Sequence, residues 1–134
     1  MIQRAWRAWN TQRDQYDSLR AVEPVSQHAG KMWRITAAGY LEPLLLQPEP
    51  QPWHSSQMAT LPRLFIQNAS LELGWSRVPM SKGTIAGEKI MPFLSQGYEG
   101  MDINQPIDFE LAELLVQKGL VALPSVSVEA ASAP

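Results

Sequence analysis

The stretch "QPEPQPWHSSQ", residues 47–57, constrains this chain more than any other, because Pro48, Pro50 and Pro52 recur at alternate positions. Each proline removes a backbone N–H and fixes φ, so neither a helix interior nor a central strand can run through the segment. An extended, mobile loop is expected there, and regular structure must lie on either side of it. A chain of 134 residues has room for one domain with a modest core. The loop is therefore read as lying inside a single unit, residues 1–124. The small and polar stretch 125–134 reads as a disordered tail.

Charge and composition remove several classes of function. The net charge is −2, which gives no global pull toward nucleic acid or an anionic membrane. Cysteine is absent, which excludes disulfides, thiolate zinc sites and thiol catalysis. With only His28 and His54, a histidine-rich metal site is not expected. No apolar run reaches the roughly 20 residues of a membrane span. The start, "MIQRAWRAWN", lacks the continuous apolar stretch of a secretory signal. A soluble cytoplasmic protein is the expectation.

Periodicity places the elements. Residues 1–15 read as a helix with Ile2, Trp6 and Trp9 on one face and Arg4, Arg7 and Arg13 interleaved. That pattern suits packing of the tryptophans on a sheet better than binding of nucleic acid. "DSLRAVEPV", 17–25, reads as a strand limited by Pro24. A turn at Ala29-Gly30 precedes a short strand from Lys31 to Thr36.

In "RLFIQNASLELGW", 63–75, Leu64 and Ile66 alternate on one face, whereas Leu71, Leu73 and Trp75 alternate on the other. The inward face thus switches, which asks for a bulge, a bend or two-sided burial around Gln67-Asn68-Ala69. Glycines at 83, 87, 97 and 100 punctuate the next part of the chain, with a short strand expected from Lys89 to Leu94. The clearest helix starts at Pro106, with Asp108 and Glu110 at its positive end and a stop at Lys118-Gly119. Its apolar stripe is Ile107, Leu111, Leu114 and Leu115. Just before it, Asp102 and Asn104 share one face if the chain is extended there. That face could hold a hard cation through oxygen ligands, or Asn104 could simply cap the helix.

The pieces "DSLRAVEPV…HAGKMW", "LPRLFIQNASLEL" and "GYEGMDINQPIDFELAELL" occur in this order. Together they resemble the C-terminal half of the acylneuraminate cytidylyltransferase family, the CMP-sialic acid synthetases and their relatives, over most of residues 10–124. The resemblance implies an α/β fold: the C-terminal part of a nucleotide-diphospho-sugar-transferase-like mixed sheet with flanking helices, its first nucleotide-binding βα unit missing. It also implies a reaction in which the anomeric hydroxyl of a keto-sugar acid attacks the α-phosphate of CTP, giving a CMP-sugar and pyrophosphate with Mg2+ bridging the phosphates. The family's metal carboxylates, in its "DID", correspond to Asp102 and Asn104. Lys31 matches a basic residue on the segment that reaches toward the partner of a homodimer, where it would neutralise substrate charge. Asn68 matches the Asn of the family's "NG", near sugar and nucleotide. On the residues alone, Lys31 reads equally as a surface lysine and Asn68 as a structural residue at the strand irregularity.

Two departures shape the expectation. Met58 and Ala59 stand where the family often has an Arg-Gln pair. The basic, glycine-bearing loop that cradles the triphosphate has no counterpart, since "MSKGTIAGEK" lies far downstream. The chain is thus expected to be incomplete alone, starting inside the helix before the "DSL" strand. A non-catalytic dimerisation or binding module is the alternative. A further one is an unrelated interaction protein that uses its proline-rich loop.

Overall fold

A computed structural model describes residues 1–124; the expected tail at 125–134 lies outside the described residues. The chain divides into two units, Met1–Gly100 and a second from Met101 onward. Its helices and strands are α1 (Ile2–Gln12), β1 (Ser18–Pro24), β2 (Trp33–Ile35), β3 (Leu41–Pro43), β4 (Phe65–Gly74), α2 (Arg77–Lys82), β5 (Ile90–Leu94) and α3 (Pro106–Gln117).

The first unit is built around β1. Its alternation turns Leu19 and Ala21 to one face, and both are buried. On one side β4 pairs with it antiparallel, and on the other β5 pairs with it parallel. The result is a mixed three-stranded sheet in the order β4-β1-β5. A parallel pair needs a long crossover, and everything from Val25 to Lys89 serves as that connection. Pro24 ends β1, where its missing N–H costs no ladder bond. Asp17 fixes the return: its Oδ2 accepts from the N–H groups of Glu88 (2.8 Å) and Lys89 (3.2 Å). The Ser18 hydroxyl, buried beside it, donates to the Ala86 carbonyl.

Helix α1 covers the Leu19 face. The core is Ala5, Trp9, Leu19, Ala21, Met91 and Phe93, with Leu71, Leu73 and Trp75 packed against it. The tryptophan face expected from the sequence is corrected here. Trp9 is buried, but Trp6 is 51% exposed and Ile2 71%. The helix is rolled so that Ala5, with no side chain beyond Cβ, meets the sheet and allows close approach. Trp9 packs 6.1 Å from Trp75, whose Nε1 donates to the Arg13 carbonyl. The interleaved arginines act inside the molecule: Arg4 lies over Phe93 at 4.1 Å and Arg13 over Trp75 at 5.3 Å, a cation–π arrangement.

Arg4 also pairs with Glu99, as does the N-terminal ammonium at 3.3 Å. Burial alone would raise the Glu99 carboxyl. The Gln96 N–H, the N-terminal ammonium and Arg4 outweigh burial and hold it below the ordinary carboxylate range. A depressed carboxylate stabilises the fold above its unfolded pKa, near 4.3 for a free Glu, and loses that contribution as pH falls through the folded value. Glu99→Gln is therefore expected to lower the melting temperature at pH 7 and to leave a smaller melting difference from wild type at pH 3. An unchanged gap between the two pH values would contradict this origin.

Strands β2 and β3 form a separate two-stranded hairpin, Ile35 opposite Leu41. No pattern in the sequence announces β3, which is only three residues long. The hairpin and the segment after it leave Trp33, Ile35, Tyr40, Leu41, Leu44 and Leu46 exposed, Leu46 at 97%. An apolar surface of this kind favours association. The chain is expected to self-associate in light scattering, and Ile35→Lys with Leu41→Lys to shift it toward monomer. A compact wild-type monomer at high concentration would contradict this. No helix among the described residues is long and apolar enough to cross a membrane.

Helix α2 is likewise an addition to the elements expected from the sequence. Pro79 falls in its first turn, where no N–H is required, and Gly83 in the left-handed conformation (φ 64°) ends it. In the second unit, α3 begins with Pro106 and stops at Gly119 (φ 66°) as its sequence implies. Leu115 is buried, whereas Ile107, Leu111 and Leu114 are exposed.

Candidate functional site

Three clusters hold the residues singled out by the sequence. The first lies where β4 breaks step. Arg20 pairs with Glu72 and Val22 with Gln67, so the four residues from Asn68 to Leu71 stand against Ala21 alone. This is the irregularity that the switch of apolar face demands. Ala69 turns it, with φ 56°, a left-handed conformation uncommon outside glycine. The turn sends the Asn68 carboxamide back over the sheet. Its Nδ2 donates to Glu23 Oε2 (2.9 Å) and to Ser95 Oγ (2.8 Å). Its Oδ1 accepts from the Ser70 N–H (3.2 Å) and hydroxyl (2.7 Å). Gly100 lies against this cluster, and a Cβ there would collide with both the Asn68 amide and the Glu23 carboxylate. Across β1, Arg20 reaches Gln67 and lies 3.5 Å from Glu72.

The second cluster ties down the proline-rich loop. Lys31 Nζ donates to the carbonyls of His54 (3.3 Å) and Ser56. Gln47 donates to the Gly30 carbonyl (3.3 Å) and accepts from the His54 N–H (3.2 Å). His28 is buried. Its Nδ1 accepts from the Gly30 N–H (3.0 Å) and its Nε2 faces the Pro62 carbonyl at 3.0 Å, which assigns the proton to Nε2. Gly30 permits the close contact, since a Cβ there would meet Trp53 at 2.7 Å. The loop expected to be mobile is thus anchored, with short 3-10 turns at Trp53–Ser55 and Met58–Thr60. Lys31, expected to face a substrate, is turned into the loop's carbonyls.

The third cluster belongs to the second unit. Asn104 Nδ2 donates to Asp102 Oδ2 at 2.8 Å, so the two side chains share one side of the chain as alternation implies. Asn104 is not the cap of α3. Asp108 Oδ2 accepts from the N–H groups of Asn104 (3.0 Å) and Gln105 (2.8 Å), the reciprocal half of a capping box around Gln105. The cap alternative is corrected on that ground: Pro106 occupies the first helical position, and the carboxylate at 108 closes the box. Asp102 and Asn104 offer hard oxygen donors on an exposed face. Among the described residues no group of three or more His, Asp or Glu side chains is placed to hold a metal. The pair supplies one carboxylate, its Oδ2 accepting from Asn104 Nδ2, whereas Mg2+ typically takes one or two protein carboxylates and completes its shell with phosphate oxygens and water.

In the Lys/Gly stretch after α2, two backbone donors are turned inward. The N–H groups of Glu88 and Lys89 donate to Asp17 Oδ2.

The structure thus brings Asp102 to Asn104, and places Lys31 and Asn68 in separate hydrogen-bond networks. It adds Glu23, Ser95 and His28, which sequence reasoning missed. Glu23 and Ser95 lie at strand ends with no motif around them. The only signal was the polar switch in β4, which had to be satisfied by something across β1 and beyond β5. No family model matches the chain, and no curated protein does.

Proposed function

We propose that the chain is the sugar-side and metal-side half of a cytidylyltransferase that activates a sialic-acid-like keto-sugar acid with CTP, releasing pyrophosphate. The observation that carries this reading is the pair Asp102–Asn104, side by side at the mouth of α3. It is supported by the order of the sequence motifs, by the parallel β1–β5 pair, and by the left-handed turn at Ala69 that follows Asn68.

Asp102 would hold Mg2+ in this reading through its carboxylate, whose Oδ2 now accepts from Asn104 Nδ2, and Asn104 would offer its carboxamide oxygen as a second, neutral donor. When bound, Mg2+ neutralises triphosphate charge and favours departure of pyrophosphate. The remaining work of the chain is positioning. The β4 irregularity presents the sugar site, and the hairpin supplies the surface of a homodimer. CTP needs a basic loop outside these 134 residues, because four phosphate charges find too few cations here. A mixed nucleotide-diphospho-sugar-transferase-like sheet and a cytoplasmic setting belong to the same reading. The exposed apolar hairpin favours the second reading, a non-catalytic dimerisation module.

Calorimetry separates what the isolated chain does. CTP with Mg2+ is expected to bind more weakly than millimolar, with no turnover on adding a keto-sugar acid. Micromolar CTP binding by the pure chain would contradict the division of labour.

A further inference from the structure

We infer that the ligand-facing groups at the β4 irregularity are the Glu23 carboxylate and the Ser95 hydroxyl, which together bind a hydroxyl group of the sugar, and that Asn68 is their positioning residue. The inference rests on the sugar-acid reading and names the part of the substrate recognised.

Hydrogen-bond capacity decides it. A carboxamide has two N–H donors and two acceptor lone pairs. Asn68 uses all four on Glu23, Ser95 and both polar groups of Ser70. Nothing is left on it for a ligand. Glu23 spends only Oε2 on Asn68, and its Oε1 accepts from no group among the described residues. Ser95 Oγ accepts from Asn68, so its own proton is unspent. An acceptor and a donor are thus held against the same nitrogen, at 2.9 and 2.8 Å. A hydroxyl is a neutral group that donates to one and accepts from the other through a single atom.

Charge selects further. A ligand carboxylate or phosphate at this point would meet the Glu23 carboxylate and be repelled. A hydroxyl gains a charge-assisted bond. The cluster therefore takes the polyol part of a sugar acid and leaves its carboxylate to another place. Glu23, Asn68 and Ser95 are all half-buried, reachable yet partly shielded. Gly100 keeps the wall thin enough for Glu23 and Asn68 to meet.

The test is a 1H–15N NMR titration of the full 134-residue chain with N-acetylneuraminate, and with pyruvate as a keto acid without hydroxyls. Wild type is expected to give saturable shifts at the amides of residues 23, 68–70 and 95 with the sugar acid, and none with pyruvate. Glu23→Gln keeps an oxygen for Asn68 but presents an NH2 group where the acceptor was. It is expected to weaken sugar binding by about tenfold or more, with the free-state amides of 68–70 unmoved. Ser95→Ala should weaken it by a smaller factor. Unchanged affinity in both variants, with wild type binding, would overturn the inference and leave the sugar-acid reading standing. Equal shifts with pyruvate would overturn it as well, since the carboxylate would then be the recognised group. Absence of any saturable shift with the sugar acid in wild type would overturn both. If Glu23→Gln disturbs the free-state amides of 68–70, the Ser95→Ala and pyruvate arms decide.

Discussion

Asp102→Asn is expected to abolish Mg2+-dependent pyrophosphate release in the enzyme completed with a CTP-binding segment, while leaving the fold intact. The substitution is nearly isosteric. Asn at 102 still offers an oxygen to Asn104 Nδ2, which sits 2.8 Å from the present carboxylate. The negative charge proposed to hold the cation against the phosphates disappears. Loss of such a carboxylate is expected to cost on the order of several kcal/mol of transition-state stabilisation. Asn104→Ala removes one neutral oxygen and is expected to reduce the rate far less. It should also leave the melting temperature nearly unchanged, because the start of α3 is satisfied by Asp108. Asp108→Ala, by contrast, is expected to lower stability by about 0.5–2 kcal/mol, as loss of a helix cap does. Steady-state rates set beside melting curves separate the three. Near-normal activity in Asp102→Asn would remove it from the site.

Trp9→Ala is expected to remove most of the stability of the first unit. Trp9 is 4% exposed and joins α1 to the sheet through Leu19, Met91, Phe93 and Trp75. Truncating a buried aromatic costs about 3–5 kcal/mol, which approaches the total stability of a small domain. Trp6→Ala, at an exposed position of the same helix, should change stability by no more than about 0.5 kcal/mol. Urea titrations followed by circular dichroism would show the contrast. Similar midpoints for the two variants would mean that the helix packs by another face.

The elements legible in the sequence are those whose signal is local. β1, β5 and α3 follow from alternation, Pro24, Pro106 and Gly119, each read within a few residues. The β4 irregularity is legible because the apolar face cannot switch without one. Asp102 and Asn104 come together because alternation alone puts them on one side. The rest depends on contacts between distant segments. The roll of α1 is set by how closely Ala5 can approach the sheet, which competes with the more conspicuous stripe of Ile2, Trp6 and Trp9. The anchoring of the proline-rich loop depends on Lys31, Gln47 and His28, whose partners lie far off in the sequence and share no motif with them. Glu23 meets Asn68 across 45 positions of sequence, and no pattern in "RAVEPV" announces it. The cap at Gln105-Asp108 competes with a plausible one at Asn104, and the geometry of Pro106 decides between them.

The most direct measurement is pyrophosphate release by this chain co-expressed with a segment that carries a basic, glycine-bearing loop, supplied with CTP, Mg2+ and a keto-sugar acid. The predicted result is release that requires all three and both segments, a CMP-sugar as the second product, and loss of the signal in Asp102→Asn. No release above that of either segment alone, with both folded and associated, would contradict the cytidylyltransferase reading.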